Sequence, residues 1–154
     1  MTVLIETDIV LAHIKEDDWL KEHARALMTA ADRGEIRLYA SREVLHEIYY
    51  IARRLDLDME LILERVAYMT QINGLTWLPT DVELDLVAFT LMVEYGIGSV
   101  FDAYHAATAL LRDPHRTIIS TDKMYDKVHG LYRIDPTDYE PEELVNEVRR
   151  HEEG

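Results

Sequence analysis

Short apolar runs alternate with amphipathic helical patterns along most of this 154-residue chain, and the alternation restricts the folds open to it. Five runs have the length and composition of buried strands: Val3–Ile5, Ile36–Ala40, Leu75–Leu78, Thr117–Ser120 and Leu131–Ile134. The segments between them repeat apolar residues at intervals of three and four, as helices with one buried face do. Because strand, helix and strand in succession favour parallel strands joined by crossover helices, we predict an α/β sandwich with a largely parallel sheet.

Capping residues and glycines set the predicted helix bounds. We predict helices over Asp17–Asp32, from Ser41, over Met59–Ile72, from Thr80 to about Gly96, from Ser99 to about Arg112, and over Asp122–Val128. In the first of these helices, Trp19 and Leu20 should face inward. Ser41 and Ser99 are good N-caps, and Thr80-x-x-Glu83 has the form of a capping box. Most predicted strands therefore lead directly into a helix start.

The length of the chain and its apolar fraction of 48% suit one domain with its own core. We predict this domain over residues 1–136, with residues 137–154 as an acidic C-terminal helical extension of it. The chain has no cysteine, which excludes disulfides and thiol nucleophiles and favours a cytoplasmic protein. Residues 1–10 resemble neither a signal peptide nor a membrane span, and no later apolar run is long enough to cross a bilayer. We therefore expect no membrane attachment.

The formal net charge of -14 argues against a broad basic surface for nucleic acid. Residues 140–154 contribute -4 of this charge, from six acidic and two basic residues, so the rest of the chain still carries -10. A nucleic acid would have to be held through bound cations, through a basic partner protein, or through local bases such as Arg53, Arg54, Lys123 and Lys127. We expect the intrinsic affinity to be weak.

Two acidic residues follow the first predicted strand. Glu6 and Asp8 are two residues apart, so in an extended chain both side chains point to the same side, at the carboxyl edge of the sheet. Asp8 can instead cap the helical turn that follows. The pair alone does not distinguish a ligand site from a structural cap.

Glu47 lies at the flank of the apolar face of its predicted helix, where a carboxylate can reach over the edge of the core. Its neighbours one turn away are Glu43, Val44, Tyr50 and Ile51, so no cation on the same helix pairs with it. The alternative is a solvated glutamate at the helix rim. Only the other acidic residues favour a ligand role.

Two further aspartates stand at helix starts. Asp102 opens a helix that is apolar almost all round, where it completes a Ser99-x-x-Asp102 cap, serves as a functional carboxylate, or does both. His105 and Thr108 continue a narrow polar stripe from Asp102, but such a histidine is more often structural than a metal ligand, and we assign His105 no catalytic role. Asp122 follows the fourth predicted strand and begins a short helix.

In a largely parallel sheet, the carboxyl ends of the strands meet at one edge. The acidic residues that would converge there are Glu6, Asp8, Glu47, Asp102 and Asp122. A divalent cation is the simplest relief for the repulsion between such carboxylates. The residues therefore predict a metal-dependent phosphodiesterase.

The order of these motifs resembles that of PIN-domain ribonucleases from Val3 to about Pro136. The run Phe101-Asp102-Ala103-Tyr104-His105-Ala106-Ala107-Thr108-Ala109 resembles the aspartate of that family and the alanine-rich helix behind it. The run Ser120-Thr121-Asp122-Lys123-Met124-Tyr125 resembles the segment that carries its last acid. Both runs come in the order that the family has.

The first two acids of the family also find counterparts. Ser41–Ile48 resembles the helix with the second acid, which falls on Glu47, and Glu6-Thr7-Asp8-Ile9-Val10-Leu11 resembles the first strand and its acid. The sequence departs from the family at Glu6, where aspartate is usual. The additional methylene displaces the carboxylate, and Asp8 can compensate, so the resemblance leaves open which of the two is the ligand.

The resemblance implies a three-layer α/β/α sandwich with a mainly parallel central sheet, Mg2+ or Mn2+ held by the five acids, and hydrolysis of single-stranded RNA without a side-chain nucleophile. A small PIN-like protein is also similar to the toxins of VapBC-type toxin-antitoxin pairs. That similarity implies a basic antitoxin as partner, which suits an acidic surface. Homodimers are common in the family, and the predicted apolar helix Met59–Ile72 offers a contact surface.

Two other classes stay open. A haloacid-dehalogenase-like phosphatase carries an Asp-x-Asp pair after its first strand, but Glu6 is a poor match for an aspartyl nucleophile and such chains are usually longer. A non-catalytic PIN-like module that binds RNA or protein is the stronger alternative, because Glu6 alters the acidic centre. Cleavage that is lost on Asp102→Asn would favour the enzyme.

Overall fold

The computed structural model describes residues 3–153, in which five parallel strands form one sheet between two groups of helices. The strands are β1 (Val3–Ile5), β2 (Leu38–Ser41), β3 (Leu75–Leu78), β4 (Thr117–Ile119) and β5 (Tyr132–Ile134). The helices are α1 (Thr7–Ile14), α2 (Lys21–Asp32), α3 (Glu43–Arg54), α4 (Met59–Met69), α5 (Val82–Tyr95), α6 (Val100–Arg112) and α7 (Pro141–Glu153). Two 3-10 turns cover Lys123–Lys127 and Pro136–Asp138. Met1, Thr2 and Gly154, which the predicted domain bounds include, lie outside the described residues.

The strand order across the sheet is β3-β2-β1-β4-β5, and every neighbouring pair is parallel. The register places Val3 opposite Leu38 on one side of β1 and Leu4 opposite Ile118 on the other. Along the chain, β2 and β3 are therefore added on one side of β1, and β4 and β5 are added on the other side. Open parallel sheets hold their ligands at the carboxyl ends of the strands where the order reverses, which here is the end of β1.

The strands separate two hydrophobic cores. Leu4 of β1 packs on one face with residues of α5 and α6, and its neighbours Val3 and Ile5 pack on the other face with residues of α1, α2 and α7. Successive side chains of a strand point to opposite faces, so one short apolar strand contributes to both cores. The three-layer α/β/α sandwich with a parallel central sheet is therefore confirmed.

Helices α6 and α7 pack in the two different cores, on opposite faces of the sheet. The alanines on α6, among them Ala103, Ala106 and Ala107, are fully buried, so this helix lies close to the sheet and to α5. At the other end of the chain, α7 buries Leu144 and Val148 in the core that α1 and α2 share. The C-terminal helix thus packs on the rest of the fold, whereas the domain bounds drawn at residue 136 stay a prediction.

Three local predictions were wrong. Ser41 is not the N-cap of α3, because it is the last residue of β2 and the N-cap position falls on Arg42. The Ser41 hydroxyl still accepts a hydrogen bond from the Glu43 amide at 3.1 Å.

The other two errors lie before α2 and α5. Trp19 is 72% exposed, because α2 begins only at Lys21 and the tryptophan lies in the turn before it. The N-cap of α5 is Asp81, whose carboxylate accepts a hydrogen bond from the Leu84 amide at 2.9 Å, and not Thr80. The Thr80 hydroxyl is turned toward α3, where it donates to Glu43 at 3.0 Å.

Within residues 3–153, no single helix is long and apolar enough to cross a membrane. Helices α5 and α6 reach that length and composition only as a pair, and they are bent by 113° against each other.

Candidate active site

The five predicted acids lie around the carboxyl ends of β1 and β4. Glu6 follows β1 directly, Asp8 lies in the first turn of α1, and Asp122 follows β4 at the start of a 3-10 turn. Glu47 comes from α3 and Asp102 from the first turn of α6. Parallel topology brings these positions to one end of the molecule, although the first acid and the last are more than a hundred residues apart in the chain.

Glu6 is the buried acid at the centre of this cluster, with only 6% of its surface exposed. Its Oε2 accepts a hydrogen bond from the Ser120 hydroxyl at 3.0 Å, and its Oε1 lies 3.9 Å from Nε2 of His105. Burial raises the pKa of Glu6 well above its ordinary value, and the negative charges of Asp8, Glu47 and Asp102 raise it further. The carboxyl group of Glu6 therefore interacts electrostatically with three of the four other acids.

Glu47 is held from two sides. Its Oε1 lies 2.9 Å from Nε2 of His105, and the Thr7 hydroxyl donates a hydrogen bond to the same oxygen. Burial alone would raise the pKa of Glu47, but the hydrogen bonds from His105 and Thr7 and the attraction of the His105 ring lower it overall. Glu47 is therefore not a solvated glutamate at the helix rim, because its carboxylate faces α6 and the start of α1.

His105 lies among these acids, although the sequence alone provides no reason to assign it a catalytic role. It is fully buried, and its Nε2 contacts both Glu47 and the Thr7 hydroxyl, the latter at 3.0 Å. The sequence signal was its position three residues after Asp102 on the polar stripe of α6, which places the two side chains on one face. Its Nδ1 is also buried and has no hydrogen-bond partner among the described residues.

Asp102 takes part in the predicted cap of α6 through its backbone. Its amide donates to the Ser99 hydroxyl at 3.5 Å, so Ser99 is the N-cap of α6 as predicted, and its carboxylate is left for other partners. The hydroxyl of Tyr125 lies 3.4 Å from Oδ1. Burial and the negative charges of Glu47 and Asp122 raise the pKa of Asp102 to about 6, despite the opposing effect of His105.

Asp8 and Asp122 make contacts that differ from those of the central acids. Oδ2 of Asp8 accepts hydrogen bonds from the amide and hydroxyl of Thr121, at 2.9 and 3.0 Å, and so ties α1 to the segment after β4. Burial raises the pKa of Asp8, and no described group hydrogen-bonds its buried Oδ1. Asp122 is exposed, and its Oδ1 caps the 3-10 turn through the Met124 amide at 2.9 Å.

Ser120 links two of these acids. Its hydroxyl donates to Glu6 and accepts from the amide of Asp122, each at 3.0 Å. The chain turns into α1 at Thr7, so the extended-chain argument that aimed Glu6 and Asp8 alike does not apply. Glu6 faces Ser120 and His105, whereas Asp8 faces Thr121.

The donor atoms at this centre fit a divalent cation. One ligand atom from each of Glu6, Glu47 and His105 lies within 4.8 Å of the others. Carboxylate oxygens are the ligands that Mg2+, Ca2+ and Mn2+ prefer. Burial is the largest cause of the raised pKa values of Glu6 and Asp102, and the negative charges of neighbouring acids raise both further, as expected where acids are grouped to bind a positive charge.

A sequence model of the PIN domain matches residues 3–131. The chain belongs to the PIN-domain family. PIN domains are generally nucleases, and the described residues of this one include a cluster that could hold a metal ion. No curated protein matches the chain in sequence.

Solved structures share the fold of this PIN domain at low identity. VapC20 of Mycobacterium tuberculosis, a toxin that cleaves the sarcin-ricin loop, superposes with a TM-score of 0.68 at 15% identity, covering 88% of this chain and 100% of that chain. VapBC2 of Rickettsia felis, bound to a promoter DNA fragment, gives 0.65 at 15% identity and covers 87% and 98%. A toxin-antitoxin complex of Klebsiella pneumoniae gives 0.57 at 16% identity and covers 90% and 99%. These similarities confirm the fold expected from the sequence.

Proposed function

We propose that this PIN domain is a divalent-metal-dependent endoribonuclease that hydrolyses phosphodiester bonds of single-stranded RNA. The observation that supports this most strongly is the cluster of Glu6, Glu47 and His105 at the end of β1, with the charge of Asp102 close enough to raise the pKa of Glu6, in a fold whose members are generally nucleases. The chain needs no nucleophilic side chain for this reaction, because water can attack the phosphate.

Glu6, Glu47, Asp102 and Asp122 would hold Mg2+ or Mn2+, and Asp8 would contribute through its free Oδ1 or through its charge. When bound, the cation lowers the pKa of a water molecule and stabilises negative charge on the scissile phosphate. Since Glu6 follows β1 directly and faces the other acids, we assign it, before Asp8, the role of the first acid of the family.

Neighbouring polar groups would hold these carboxylates in place. His105 and Thr7 orient Glu47, and Ser120 orients Glu6 while also binding the backbone of Asp122. Such hydrogen bonds to ligating carboxylates matter for affinity, and their loss typically costs about 10- to 100-fold. His105 is therefore a positioning residue in this proposal, because its Nε2 is engaged with Glu47 and Thr7.

The binding of substrate must overcome an acidic surface. Arg53 and Arg54 end α3 and are exposed, and Lys123 and Lys127 are exposed on the 3-10 turn beside Asp122. Arg53 and Arg54 follow Glu47 along α3, and Lys123 and Lys127 follow Asp122, so these four bases can contact phosphates next to the cleaved one. The expected affinity for RNA remains weak and dependent on the cation.

We further propose that the protein is the toxin of a toxin-antitoxin pair. The similar Klebsiella pneumoniae structure is a toxin-antitoxin complex, and the VapC20 structure is that of a toxin. A basic antitoxin would complement the net charge of -14.

A homodimer would form most readily through α5. Four apolar side chains of this helix, spaced by four, three and four residues, are exposed on one stripe: Val82, Leu86, Phe89 and Val93. The helix predicted for this contact from the sequence, α4, exposes Leu61, Leu63 and Tyr68, which do not form one continuous stripe. Light scattering on Leu86→Lys and on Leu63→Lys would distinguish the two faces.

Cleavage of a mixed single-stranded RNA pool tests the enzyme. Wild type should cut with Mg2+ or Mn2+ and not with chelator, and Asp102→Asn should lose at least about 100-fold in rate. Glu83→Gln is the matched control, since Glu83 is an exposed acid in the first turn of another helix and should leave the rate unchanged. Pure, folded wild type that cuts RNA with neither metal would refute the nuclease and favour the non-catalytic binding module.

Calorimetric titration of the metal gives an independent test. The raised pKa values of Glu6 and Asp102 mean that protons should leave the protein when a cation binds near neutral pH. The apparent binding enthalpy should therefore depend on the ionisation enthalpy of the buffer. An enthalpy that is equal in all buffers would contradict this assignment of the ligands.

A further inference from the structure

Three aromatic rings lie beside the acidic centre and have no part in the roles assigned above. The ring centroid of Tyr50 is 5.7 Å from that of Phe101, with 49° between the ring planes, and 5.9 Å from that of Tyr49, with 79° between the planes. Tyr50 is 63% exposed and Tyr49 is 50% exposed. Burial in a core therefore does not explain why aromatic residues stand at these two positions.

The two helices that form the acidic centre also carry this aromatic pair. Glu47 of α3 contacts His105 of α6, and Tyr50, three residues after Glu47, contacts Phe101, four residues before His105. The aromatic contact thus lies one helical turn, or about 5 Å, further along the same seam. Asp102 stands directly after Phe101 on α6. A nucleotide adjacent to a phosphate at the acidic centre would be within reach of the rings.

The chemistry of the surroundings favours an RNA base over other occupants. With a net charge of -14, the protein cannot rely on electrostatic attraction alone to hold a polyanion. Stacking on an aromatic ring is independent of charge and is open to every base. Arg53 and Arg54 follow Tyr50 by three and four residues on α3, so their charges lie on the same side of the helix and can meet the neighbouring phosphates.

We infer that Tyr50 and Phe101 form a stacking platform for one unpaired base of the RNA, next to the phosphate held at the acidic centre. The identity of the ligand rests on the proposed function, but the platform can bind RNA whether or not the centre cuts it. The platform supplies affinity and position without reading base edges, so its preferences among bases should follow stacking strength.

Binding of a fluorescein-labelled, mixed-sequence RNA of about 10 nucleotides tests the platform by fluorescence anisotropy. All proteins would carry Asp102→Asn, so that the RNA stays intact in the presence of Mg2+. Tyr50→Leu should weaken binding by about 5- to 100-fold, the equivalent of about 1–3 kcal/mol, whereas Tyr50→Phe should retain it. Tyr68→Leu removes another exposed tyrosine, on α4, and should have no effect.

A second arm identifies the contact with a base. Oligonucleotides with one abasic position would be titrated against two proteins, one that keeps Tyr50 and one that carries Tyr50→Leu. If Tyr50 stacks on that base, removing the base and removing the ring should cost no more together than either change alone. Additive losses at every position would overturn the platform.

The outcomes separate the platform from the nuclease. If wild type cuts RNA and Tyr50→Leu raises KM with little change in kcat, both proposals are supported. If wild type binds RNA without cutting it, and Tyr50→Leu weakens that binding, the platform stands while the nuclease falls. Equal RNA affinity of Tyr50→Leu and Tyr68→Leu would overturn the platform and would indicate that the rings contact a protein partner instead.

Discussion

Replacing Asp102 by asparagine should stabilise the metal-free protein at neutral pH while removing its activity. In the absence of a cation, the negative charge of Asp102 lies near those of Glu47 and Asp122, and its carboxyl is partly buried. Both effects favour the protonated form. Asparagine has nearly the same shape, keeps the amide that Ser99 caps, and cannot ionise.

The magnitude follows from the pKa of Asp102, which is about 6 in the folded protein against an ordinary 3.8. Between these pH values the folded protein holds more protons than the unfolded chain, so its stability falls as the pH rises through this window. The full difference between the two pKa values corresponds to about 3 kcal/mol in the free energy of unfolding. Because the carboxyl is partly exposed, solvent screening reduces this effect to about 1–2 kcal/mol. The position of Asp102 in the first turn of α6 offsets up to about 1 kcal/mol of this through the helix dipole.

Urea unfolding with chelator, at about pH 4 and pH 7.5, measures the effect. At the higher pH, the free energy of unfolding of Asp102→Asn should exceed that of wild type by about 1 kcal/mol. At the lower pH the two values should be nearly equal, because the aspartate of wild type is largely protonated there. Glu83→Gln, in the first turn of α5, reports the helix-dipole contribution alone. Adding Mn2+ at pH 7.5 should reverse the order, because wild type binds the ion more tightly.

A variant that is less stable than wild type at pH 7.5 with chelator, by an amount that does not change at pH 4, would refute this reasoning. Such a result would mean that Asp102 serves α6 as a capping residue and does not share the repulsion of the acidic cluster.

Three further substitutions test other parts of the structure. Ser120→Ala removes a buried hydroxyl that holds Glu6, so it should cost about 1–3 kcal/mol in urea unfolding and weaken Mn2+ binding in calorimetry; unchanged affinity would exclude a positioning role. Gly74→Ala places a Cβ against two backbone carbonyls and should destabilise by about 1–3 kcal/mol, whereas Gly98→Ala, in open space, should not. Leu86→Lys should convert a dimer to a monomer by light scattering, and a variant that stays dimeric would rule out α5 as the contact.

Much of the fold could be predicted from local patterns. All five strands lie at the predicted runs, within two residues at each end, because a buried strand needs a short apolar segment and leaves little freedom in where it lies. Ser99 was recognised as a cap for the same reason, since a cap acts within three residues. The error at Thr80 arose because a tertiary contact competed with a local one. Thr80 turns toward Glu43, and Asp81 takes its place at the helix start.

The order of the motifs predicted which acids come together, but it did not predict the contacts that each acid makes. The sequence does not distinguish Glu6 from Asp8, and only the tertiary contacts show that Asp8 bonds to Thr121, after β4, while Glu6 bonds to Ser120. The contacts of His105 could not be predicted, because nothing near it in the chain is its partner. Glu47, which it contacts, is 58 residues away.

The sequence by itself determined the elements, their alternation and the residue types at the ends of the strands, because these depend on periodicity and on neighbours a few residues apart. The tertiary structure alone decided the strand order, which carboxylates share one charge environment, and which rings stand beside them. The last two properties depend on how α3 and α6 pack against each other across the end of β1, and contacts between distant segments leave no periodic signal in the chain.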